Sequence, residues 1–146
     1  IIYKDYVNIG IAVDTSYGLI VPNIKNANTK SIFEISEEVK ELADLANKRR
    51  LKNDQLVGAT FTISSLSGVG GKYFTPIINP PEVGILGLSK TYDSIQLDNL
   101  KLQTTNLLPL SLSYDHRVIN GVYAIKFLNE LNKLLNDVNF LESSFK

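Results

Sequence analysis

The sequence Ser111-Leu-Ser-Tyr-Asp115-His116-Arg117-Val-Ile-Asn120-Gly121 contains the single histidine of the 146-residue chain. The residues before it, from Leu107 to Tyr114, alternate apolar and small polar side chains, which predicts a strand. The residues after it, from Ala124 to Leu135, repeat apolar side chains with helical period, which predicts an amphipathic helix. We therefore expect His116 on a short turn between a strand and a helix, where a rigid scaffold can aim it as a general base.

The neighbours of His116 favour a functional role over a purely structural one. A lone histidine is more often structural than catalytic, because catalysis needs geometry as well as a suitable pKa. Asp115 and Arg117, however, place charges at the end of an apolar strand, where charge is costly without a purpose. Asn120 is a good N-cap for the following helix, and Gly121 lets backbone or ligand approach because it has no Cβ. These features select a candidate residue and do not identify a reaction.

Composition excludes several classes of protein and site. Lys plus Arg equals Asp plus Glu at 15 each, so a net charge of zero leaves no footprint for nucleic acid or an anionic membrane surface. The chain has no cysteine and one histidine, which excludes disulfides, a thiolate nucleophile and Cys-based or His-rich metal sites. No apolar run approaches the ~20 residues of a membrane span, and no signal segment opens the chain. Because the chain lacks Met, we expect it to be a piece of a longer protein.

The first half of the chain predicts a hairpin, a helix and a strand. Tyr6–Asp14 alternates as one strand, and a turn at Ser16–Gly18 leads into a second extended run that ends at Pro22. Ser31 and Glu34 form a capping box that opens a helix expected to run to about Leu51. Its apolar stripe faces a core, and its charged face is expected to be solvated. A further strand covers Gly58–Ser64.

The second half predicts more strands and a docked tail. Glu82–Ser89 has the continuous apolar character of a buried strand, with glycines that mark close approach or a bulge. Two extended runs, Ser94–Leu97 and Leu100–Gln103, are joined by a turn at Asp98-Asn99. The tail Phe140–Phe145 carries three large apolar groups at a chain end, so we expect it to dock within the subunit or on a neighbour.

The glycine-rich segment Ser65–Lys72 follows a strand, which invites a nucleotide-binding interpretation. A Walker loop fails because Gly71-Lys72 is followed by a tyrosine and Leu66 stands where the first glycine is needed. The dinucleotide fingerprint fails because Tyr73 occupies its third glycine position. Composition alone leaves a flexible turn and a binding loop equally open.

Four separated motifs carry a resemblance to a known family. Asp115-His116-Arg117-x-x-Asn120-Gly121 resembles the His-x-x-x-Asp-Gly signature of acyltransferases related to chloramphenicol acetyltransferase. The longer string Leu-Ser-Tyr-Asp-His-Arg-Val-Ile-Asn-Gly is similar to the dihydrolipoamide acyltransferases of 2-oxo acid dehydrogenase complexes. Matching segments also occur, in the family's order, at Gly10–Pro22, Thr62–Leu66 and Phe74–Asn79. The resemblance extends from Val7 to about Asp137.

This resemblance implies an α/β fold: a two-layer open-faced sandwich with a mixed β-sheet flanked by helices, as in chloramphenicol acetyltransferase. Residues 1–146 would be the carboxy-terminal part of a single catalytic domain. The amino-terminal helix and first strand of that domain, with part of its coenzyme A site, would be missing. Asn120 replaces the family's usual aspartate, which is mainly structural and pairs with an arginine. The replacement affects that ion pair and leaves the base in place.

The resemblance also implies a reaction, acyl transfer between coenzyme A and the dihydrolipoyl group carried on a separate lipoyl domain. It assigns His116 as general base, Ser64 as the donor that stabilises the oxyanion, and Asn120 as structural support. Ser65, Gly70 and Gly71 are expected to contact substrate. No metal is implied. The strings Ile-Ser-Ser-Leu, Phe-Thr-Pro and His-Arg-Val-Ile favour the acetyl-transferring member, of the pyruvate dehydrogenase complex.

In the family, the active site lies between two subunits of a trimer, with the histidine and serine on different chains, and trimers assemble into a hollow core. The implied partners are other copies of the chain, lipoyl domains, and the decarboxylase and dihydrolipoamide dehydrogenase components. The implied location is the bacterial cytoplasm, the mitochondrial matrix or another organelle, and not the exterior.

Four alternatives stay open. The chain could transfer succinyl or branched-chain acyl groups, act as a stand-alone acetyltransferase on a hydroxyl, or serve as a non-catalytic core scaffold. It could also be a folded but inactive remnant of the domain, because the amino-terminal part is expected to be missing. The Ser-Tyr-Asp-His-Arg context disfavours the second alternative. Retention of His116 disfavours the third.

Overall fold

A computed structural model describes residues 1–98 and 101–145 and centres on a five-stranded mixed sheet. The strands are β1 (Ile9–Ile11), β2 (Val13–Thr15), β3 (Gly18–Ile20), β4 (Asn23–Ile24), β5 (Phe61–Ser65), β6 (Gly84–Leu88), β7 (Tyr92–Asp98), β8 (Lys101–Leu107) and β9 (Leu110–Tyr114). The helices are α1 (Ile32–Asn47), α2 (Asn53–Leu56), α3 (Gly121–Asn136) and α4 (Val138–Ser144), with a 3₁₀ turn at Ala27–Thr29.

The main sheet has the order β4-β1-β5-β6-β9. Its three central strands are parallel, and the two outer strands, β4 and β9, are antiparallel to their neighbours. Helix α1 packs near β2 and β4, and α3 packs near β9. The buried apolar side chains come from both the sheet and the helices: Ile24, Leu42, Ala46, Ile85, Leu86 and Ala124. This arrangement confirms the predicted α/β class with a mixed sheet and helices.

The prediction of one strand over Tyr6–Asp14 is wrong. β1 pairs with β4 and β5 in the main sheet, whereas β2 leaves it and forms the predicted hairpin with β3. The buried positions here are Asn8 and Gly10, not the alternating apolar residues. Asn8 is held inside by side-chain hydrogen bonds with the carbonyl of Gly58 and the amide of Asn26 (both 2.9 Å). A polar network therefore occupies the face that alternation alone assigns to solvent.

Helix α1 begins where predicted and ends earlier. Ser31 caps it, and the reciprocal bonds between Ser31 and Glu34 confirm the capping box. The backbone and side-chain hydrogen bonds from Ser31 hold the pKa of the Glu34 carboxyl below its usual value. At the other end, Arg49 has a left-handed φ of 56°. Its amide donates to the carbonyl of Ala46, and the amide of Arg50 donates to the carbonyl of Leu45. This Schellman-type ending stops the helix before the predicted Leu51.

The remaining elements follow the predicted order with different lengths. β6 is buried as expected, and β7 and β8 form a two-stranded ribbon longer than the predicted runs. Asn99 of the predicted turn and Leu100 of the predicted second run lie outside the described residues. Helix α3 begins at Gly121, and the predicted apolar tail is mostly the short helix α4, which contacts α3. Among the described residues, no helix is long and apolar enough to cross a membrane.

Candidate functional site

His116 lies on a tight turn that is fixed to the sheet. Asp115, directly after β9, donates its amide to the carbonyl of Val83 (2.9 Å). Its carbonyl accepts hydrogen bonds from the amides of Val118 (3.0 Å) and Ile119 (2.9 Å). The chain therefore reverses within a few residues and carries His116 at the exposed tip of the turn. This geometry confirms the predicted position between a strand and a helix.

The imidazole of His116 is accessible to a substrate. The residue is exposed, and its ring lies 5.7 Å from the Tyr114 ring, centroid to centroid, at an interplanar angle of 37°. The Tyr114 hydroxyl also approaches the start of α3, where a Cβ built at Gly121 would lie 3.5 Å from it. That separation is an ordinary van der Waals contact. Tyr114 thus lines one side of the histidine without covering it.

Asn120 caps the helix that follows the turn. It has an extended backbone, and its side-chain oxygen accepts a hydrogen bond from the Tyr123 amide (2.9 Å). The cap satisfies one of the free amides of the first helical turn and so fixes where α3 begins. The predicted N-cap is confirmed, and the asparagine provides it without any charge.

Asp115 and Arg117, the residues on either side of His116, form an ion pair. The Arg117 guanidinium donates to both carboxylate oxygens of Asp115, from Nε to Oδ1 (2.9 Å) and from Nη2 to Oδ2 (2.6 Å). The Arg117 amide also donates to Oδ1 (3.0 Å). These side-chain and backbone hydrogen bonds lower the pKa of the Asp115 carboxyl to about 2, and the side-chain bonds raise the pKa of Arg117. At neutral pH the Asp115 carboxylate is therefore ionised, and Arg117 binds both of its oxygens.

Ser64 lies near the end of β5, at the other candidate position. It is half-buried, and its hydroxyl makes no hydrogen bond to any other described residue. The next residue differs, because the Ser65 hydroxyl is engaged with the Ser67 hydroxyl at 2.9 Å. Ser64 thus keeps a free donor for a bound group, whereas Ser65 helps to form the turn.

The glycine-rich loop after Ser65 is a defined turn. The amides of Val69 and Gly70 both donate to the carbonyl of Leu66. Gly70 and Gly71 have φ values of 131° and 86°, which L-residues rarely adopt. Beyond them, the Lys72 ammonium lies 4.3 Å from the centroid of the Tyr92 ring.

The loop is also tied to the ribbon by Tyr73. A side-chain hydrogen bond with Tyr92 raises the pKa of Tyr73. The Lys90 amide donates to the Gly71 carbonyl (3.3 Å), which adds a backbone link. The loop is therefore anchored at its far end, in the same region as Ser64.

An aromatic side chain that the sequence did not single out covers the sheet beside Ser64. Ser64 pairs with Gly87 of β6, and a Cβ built at Gly87 would lie 2.7 Å from Cζ of Phe74 and 3.3 Å from Cγ of Pro76. The ring occupies the space that a side chain on β6 would need. The glycine within an otherwise apolar strand was the available signal, since it predicted close approach without naming the partner.

The structure places the candidate residues in two groups and does not bring the groups together within one chain. His116 and Asn120 lie beyond the Tyr114 end of β9, whereas Ser64, Ser65, Gly70 and Gly71 lie at the opposite end of the sheet. Through Gly87, Ser64 is level with Ser111, near the start of β9. At ~3.4 Å per residue and ~4.8 Å between strands, the Cα atoms of Ser64 and Tyr114 are ~14 Å apart, with His116 beyond.

A groove beside the His116 turn contains neither His116 nor Ser64. It has a volume of about 930 Å³ and lies between the amino-terminal residues and the turn after β9. Asp115, Arg117 and the buried Glu82 line it, while His116 and Ser64 do not. None of the site residues predicted from the sequence lines this groove. Among the described residues, no cluster of three His, Asp or Glu side chains is arranged to hold a metal ion.

Comparisons with known proteins identify the family. Residues 1–142 match the family model for the catalytic domain of 2-oxoacid dehydrogenases acyltransferase. Over 137 residues the chain is 51% identical to the dihydrolipoyllysine-residue acetyltransferase component of the pyruvate dehydrogenase complex of Cupriavidus necator, covering 94% of this chain and 25% of that protein. Among the first relatives found, the chain spans about a quarter to a third of their length.

Two solved structures have the same fold. One, from a study of a serine, a histidine and an asparagine in the catalytic mechanism of Azotobacter vinelandii dihydrolipoamide acetyltransferase, has a TM-score of 0.90 and 50% identity. The other is the cubic core of the pyruvate dehydrogenase multienzyme complex, with a TM-score of 0.90 and 51% identity. Each match covers 94% of this chain and 56% of the solved chain.

Proposed function

We propose a reaction for this chain from its family, because the chain belongs to the catalytic domains of the 2-oxoacid dehydrogenase acyltransferases. The reaction is transfer of an acetyl group between coenzyme A and the dihydrolipoyl group of a separate lipoyl domain. The setting is the core of a pyruvate dehydrogenase complex, in a bacterial cytoplasm or an organelle matrix. The observation that carries the proposal is the exposed imidazole of His116 on a turn fixed at both ends.

The spacing of the candidate residues supports this assignment. In the Azotobacter enzyme, the serine and the histidine studied for catalysis are 52 positions apart, and the asparagine follows the histidine by four. Ser64, His116 and Asn120 have the same spacings in this chain. The asparagine in place of the more usual aspartate is therefore shared with a relative in which it was studied as part of the mechanism.

His116 supplies the general base. A free thiol has a pKa of ~8.5, so only a few per cent is thiolate at pH 7. A neutral imidazole within hydrogen-bond reach removes the thiol proton as the sulfur attacks the thioester carbonyl, which contributes ~10²–10⁴-fold. When the tetrahedral intermediate collapses, the imidazolium returns the proton to the departing thiolate. The acetyl group moves directly between the two thiols, so no covalent enzyme intermediate is needed.

Ser64 supplies the donor for the oxyanion. The negative charge that develops on the carbonyl oxygen requires a donor already in place, which contributes ~10²–10³-fold. The Ser64 hydroxyl makes no hydrogen bond to the other described residues, so it can donate without first breaking a bond. Gly70, Gly71 and Ser65 belong to the adjacent turn, where we place contacts with the substrate. Asn120 keeps its supporting role as the cap of α3.

The separation of Ser64 and His116 supports a site shared by two copies of the chain. A relative that is 51% identical forms the cubic core of a multienzyme complex, so copies of a similar chain are known to assemble. In the proposed trimer, the His116 turn of one copy faces the Ser64 loop of the next, and trimers assemble further. Lipoyl domains deliver the acyl group, and the decarboxylase and dihydrolipoamide dehydrogenase components act on the same lipoyl group.

Acetyl transfer is preferred over the other acyl groups because the first relatives found are all acetyltransferase components of pyruvate dehydrogenase complexes. The decisive assay measures transfer from acetyl-CoA, succinyl-CoA and a branched-chain acyl-CoA to dihydrolipoamide. It is run on the chain and on a version extended at its amino terminus to the length of the solved cores. We expect acetyl transfer that falls at least ~10²-fold in His116→Ala.

Two results would contradict this proposal. Equal activity in His116→Ala would remove the base assignment. A folded, assembled and inactive extended protein would favour the scaffold role instead.

A further inference from the structure

We propose that Arg117 is a positioning residue that acts through Asp115 on His116, fixing the imidazole and neutralising the carboxylate beside it. The inference deepens the proposed function and rests on it. Arg117 itself is not assigned any contact with substrate.

Hydrogen bonds made by Asp115 and Arg117 fix the backbone on both sides of His116. Asp115 is bound to the sheet through its amide, and its carbonyl holds the far side of the turn through the amides of Val118 and Ile119. Its carboxylate receives three kinds of donor from Arg117: the backbone amide, Nε and Nη2. His116 is the one residue between them. Its backbone is therefore held on both sides while its ring remains exposed.

Stability does not explain this arrangement. The Arg117 side chain is 89% exposed, and an exposed ion pair usually contributes little to folding. The bidentate geometry instead provides directional specificity, since a planar guanidinium fits a carboxylate in one orientation. A small displacement of a catalytic group reduces the rate strongly, so fixing the turn has value for a general base.

The pair also controls charge next to the imidazole. A bare carboxylate beside a histidine favours the protonated ring, which cannot act as a base. With Arg117 bound, the adjacent pair is neutral overall. The other ionisable groups near the turn lie on β9, on α3 and across the groove: Tyr114, Tyr123, Lys126, Glu82, Tyr3, Lys4 and Tyr6. Among the described residues, none of these groups donates a hydrogen bond to the Asp115 carboxylate.

The test uses the single histidine as its own reporter. With ¹³C-labelled histidine, NMR follows the titration of His116 without overlap from other histidines, because the sequence has no others. The variants are Arg117→Ala, Arg117→Lys and the double variant Asp115→Asn with Arg117→Ala. The matched control is Lys48→Ala, which removes an exposed ion pair with Asp44 (2.6 Å) on α1, away from the turn. The same proteins are assayed for acetyl transfer as complete assemblies.

In Arg117→Ala we expect the imidazole titration to move to higher pH by about half a unit or more. The acid limb of the kcat/KM profile should move with it, and kcat/KM at about pH 7.5 should fall ~10-fold. The double variant should return the titration to its original position, because the asparagine side chain keeps an acceptor for the turn without the charge. Arg117→Lys should restore the titration and only part of the rate, since lysine lacks the guanidinium fork.

An unchanged titration in Arg117→Ala, together with a rate no lower than in Lys48→Ala, would overturn the inference. The two proposals fail separately. Absence of acetyl transfer in the unmodified assembly would reject the proposed function, whereas the NMR titration decides the effect of Arg117 on His116 without any activity.

Discussion

Ser64 and His116 lie at opposite ends of the same sheet, two strands apart. Ser64 on β5 is level with Gly87 on β6 and Ser111 on β9, and β9 then runs away from that level toward the His116 turn. The proposed base and the proposed oxyanion donor therefore belong to different surfaces of the chain. For both to act on one thioester, as proposed, those surfaces must meet, and the proposed function assigns that contact to a second copy of the chain.

The fit between Gly87 and Phe74 predicts a specific defect next to Ser64. In Gly87→Ala, the new methyl group would begin 2.7 Å from the Phe74 ring, so the ring must move. Overpacking of this kind costs about 1–3 kcal/mol, and the displaced ring should also lower kcat/KM. Urea unfolding and the acetyl-transfer assay measure the two effects.

The control for that variant is Gly68→Ala, where no atom lies within 4 Å of the new methyl group. A second change, Phe74→Leu, should recover part of the stability lost in Gly87→Ala. Equal stability of the Gly87→Ala and Gly68→Ala proteins would show that the ring does not occupy the predicted space.

The buried carboxylate of Glu82 predicts a dependence on Thr62. The Thr62 hydroxyl donates to Glu82 (2.6 Å), and the Asn79 amide donates to the other oxygen (3.1 Å). Glu82 is 8% exposed and Thr62 is fully buried. Thr62→Val keeps the shape and removes one donor, so the unfolding free energy should fall by about 1–3 kcal/mol.

Thr29→Val is the matched change at an exposed site, where the hydroxyl donates to the Asn26 carbonyl (2.8 Å). It should alter the unfolding free energy by less than about 0.5 kcal/mol. If both threonine variants lose the same unfolding free energy, the buried Thr62–Glu82 hydrogen bond does not stabilise the fold more than the exposed one, which would contradict this prediction.

The Asp115–Arg117 pair predicts a pH dependence in the acid range. The pKa of Asp115 falls from 3.8 to about 2 in the folded chain, because the carboxylate accepts hydrogen bonds from Arg117. A lowered pKa means that the folded state binds fewer protons than the unfolded state in this range, so the small contribution of this exposed pair to stability is present above about pH 4. The contribution is lost as the pH falls toward about 2.

The measurement compares the unfolding of the unmodified protein and Arg117→Ala between about pH 2 and pH 6. Any stability difference that the pair causes should shrink toward the acid end, and carboxyl NMR of Asp115 should show the lowered midpoint directly. A midpoint near the ordinary value of 3.8 in the unmodified protein would contradict the bidentate pair.

Local patterns predicted much of the region around His116. The alternation before it, the helical period after it and the asparagine between them specify a strand, a turn and a capped helix, and all three are present. Ser31 and Glu34 likewise specify the start of α1, because a capping box is formed by neighbours in sequence. Signals that act over a few residues are readable without knowledge of the fold.

Features that depend on contacts between residues distant in sequence could not be predicted from local patterns. The split between β1 and β2 arises because one strand pairs with β5 and the other with β3, and alternation does not specify the partner. The early end of α1 depends on Arg49, a residue with no special preference for the left-handed conformation that it adopts there. The guanidinium of Arg49 lies 3.2 Å from the centroid of the Tyr17 ring, a contact between residues far apart in sequence.

The candidate site divides in the same way. His116 and Asn120 could be chosen from the local sequence, as the single histidine between a strand and a helix and as the cap of that helix, whereas Ser64 came from the family resemblance. Its free hydroxyl is visible only in the folded chain. Phe74 was part of a matching segment, but its position over Gly87 is set by the return of the loop across the sheet.

The most direct test of the shared site co-assembles His116→Ala chains with Ser64→Ala chains, each carrying a different affinity tag. Either variant alone should be at least ~10²-fold less active than the unmodified protein. If each site takes His116 from one copy and Ser64 from the next, every mixed trimer contains one intact site. Random mixing of equal amounts should then restore about one quarter of the unmodified activity. Mixed assemblies no more active than the separate variants would contradict a site formed between copies.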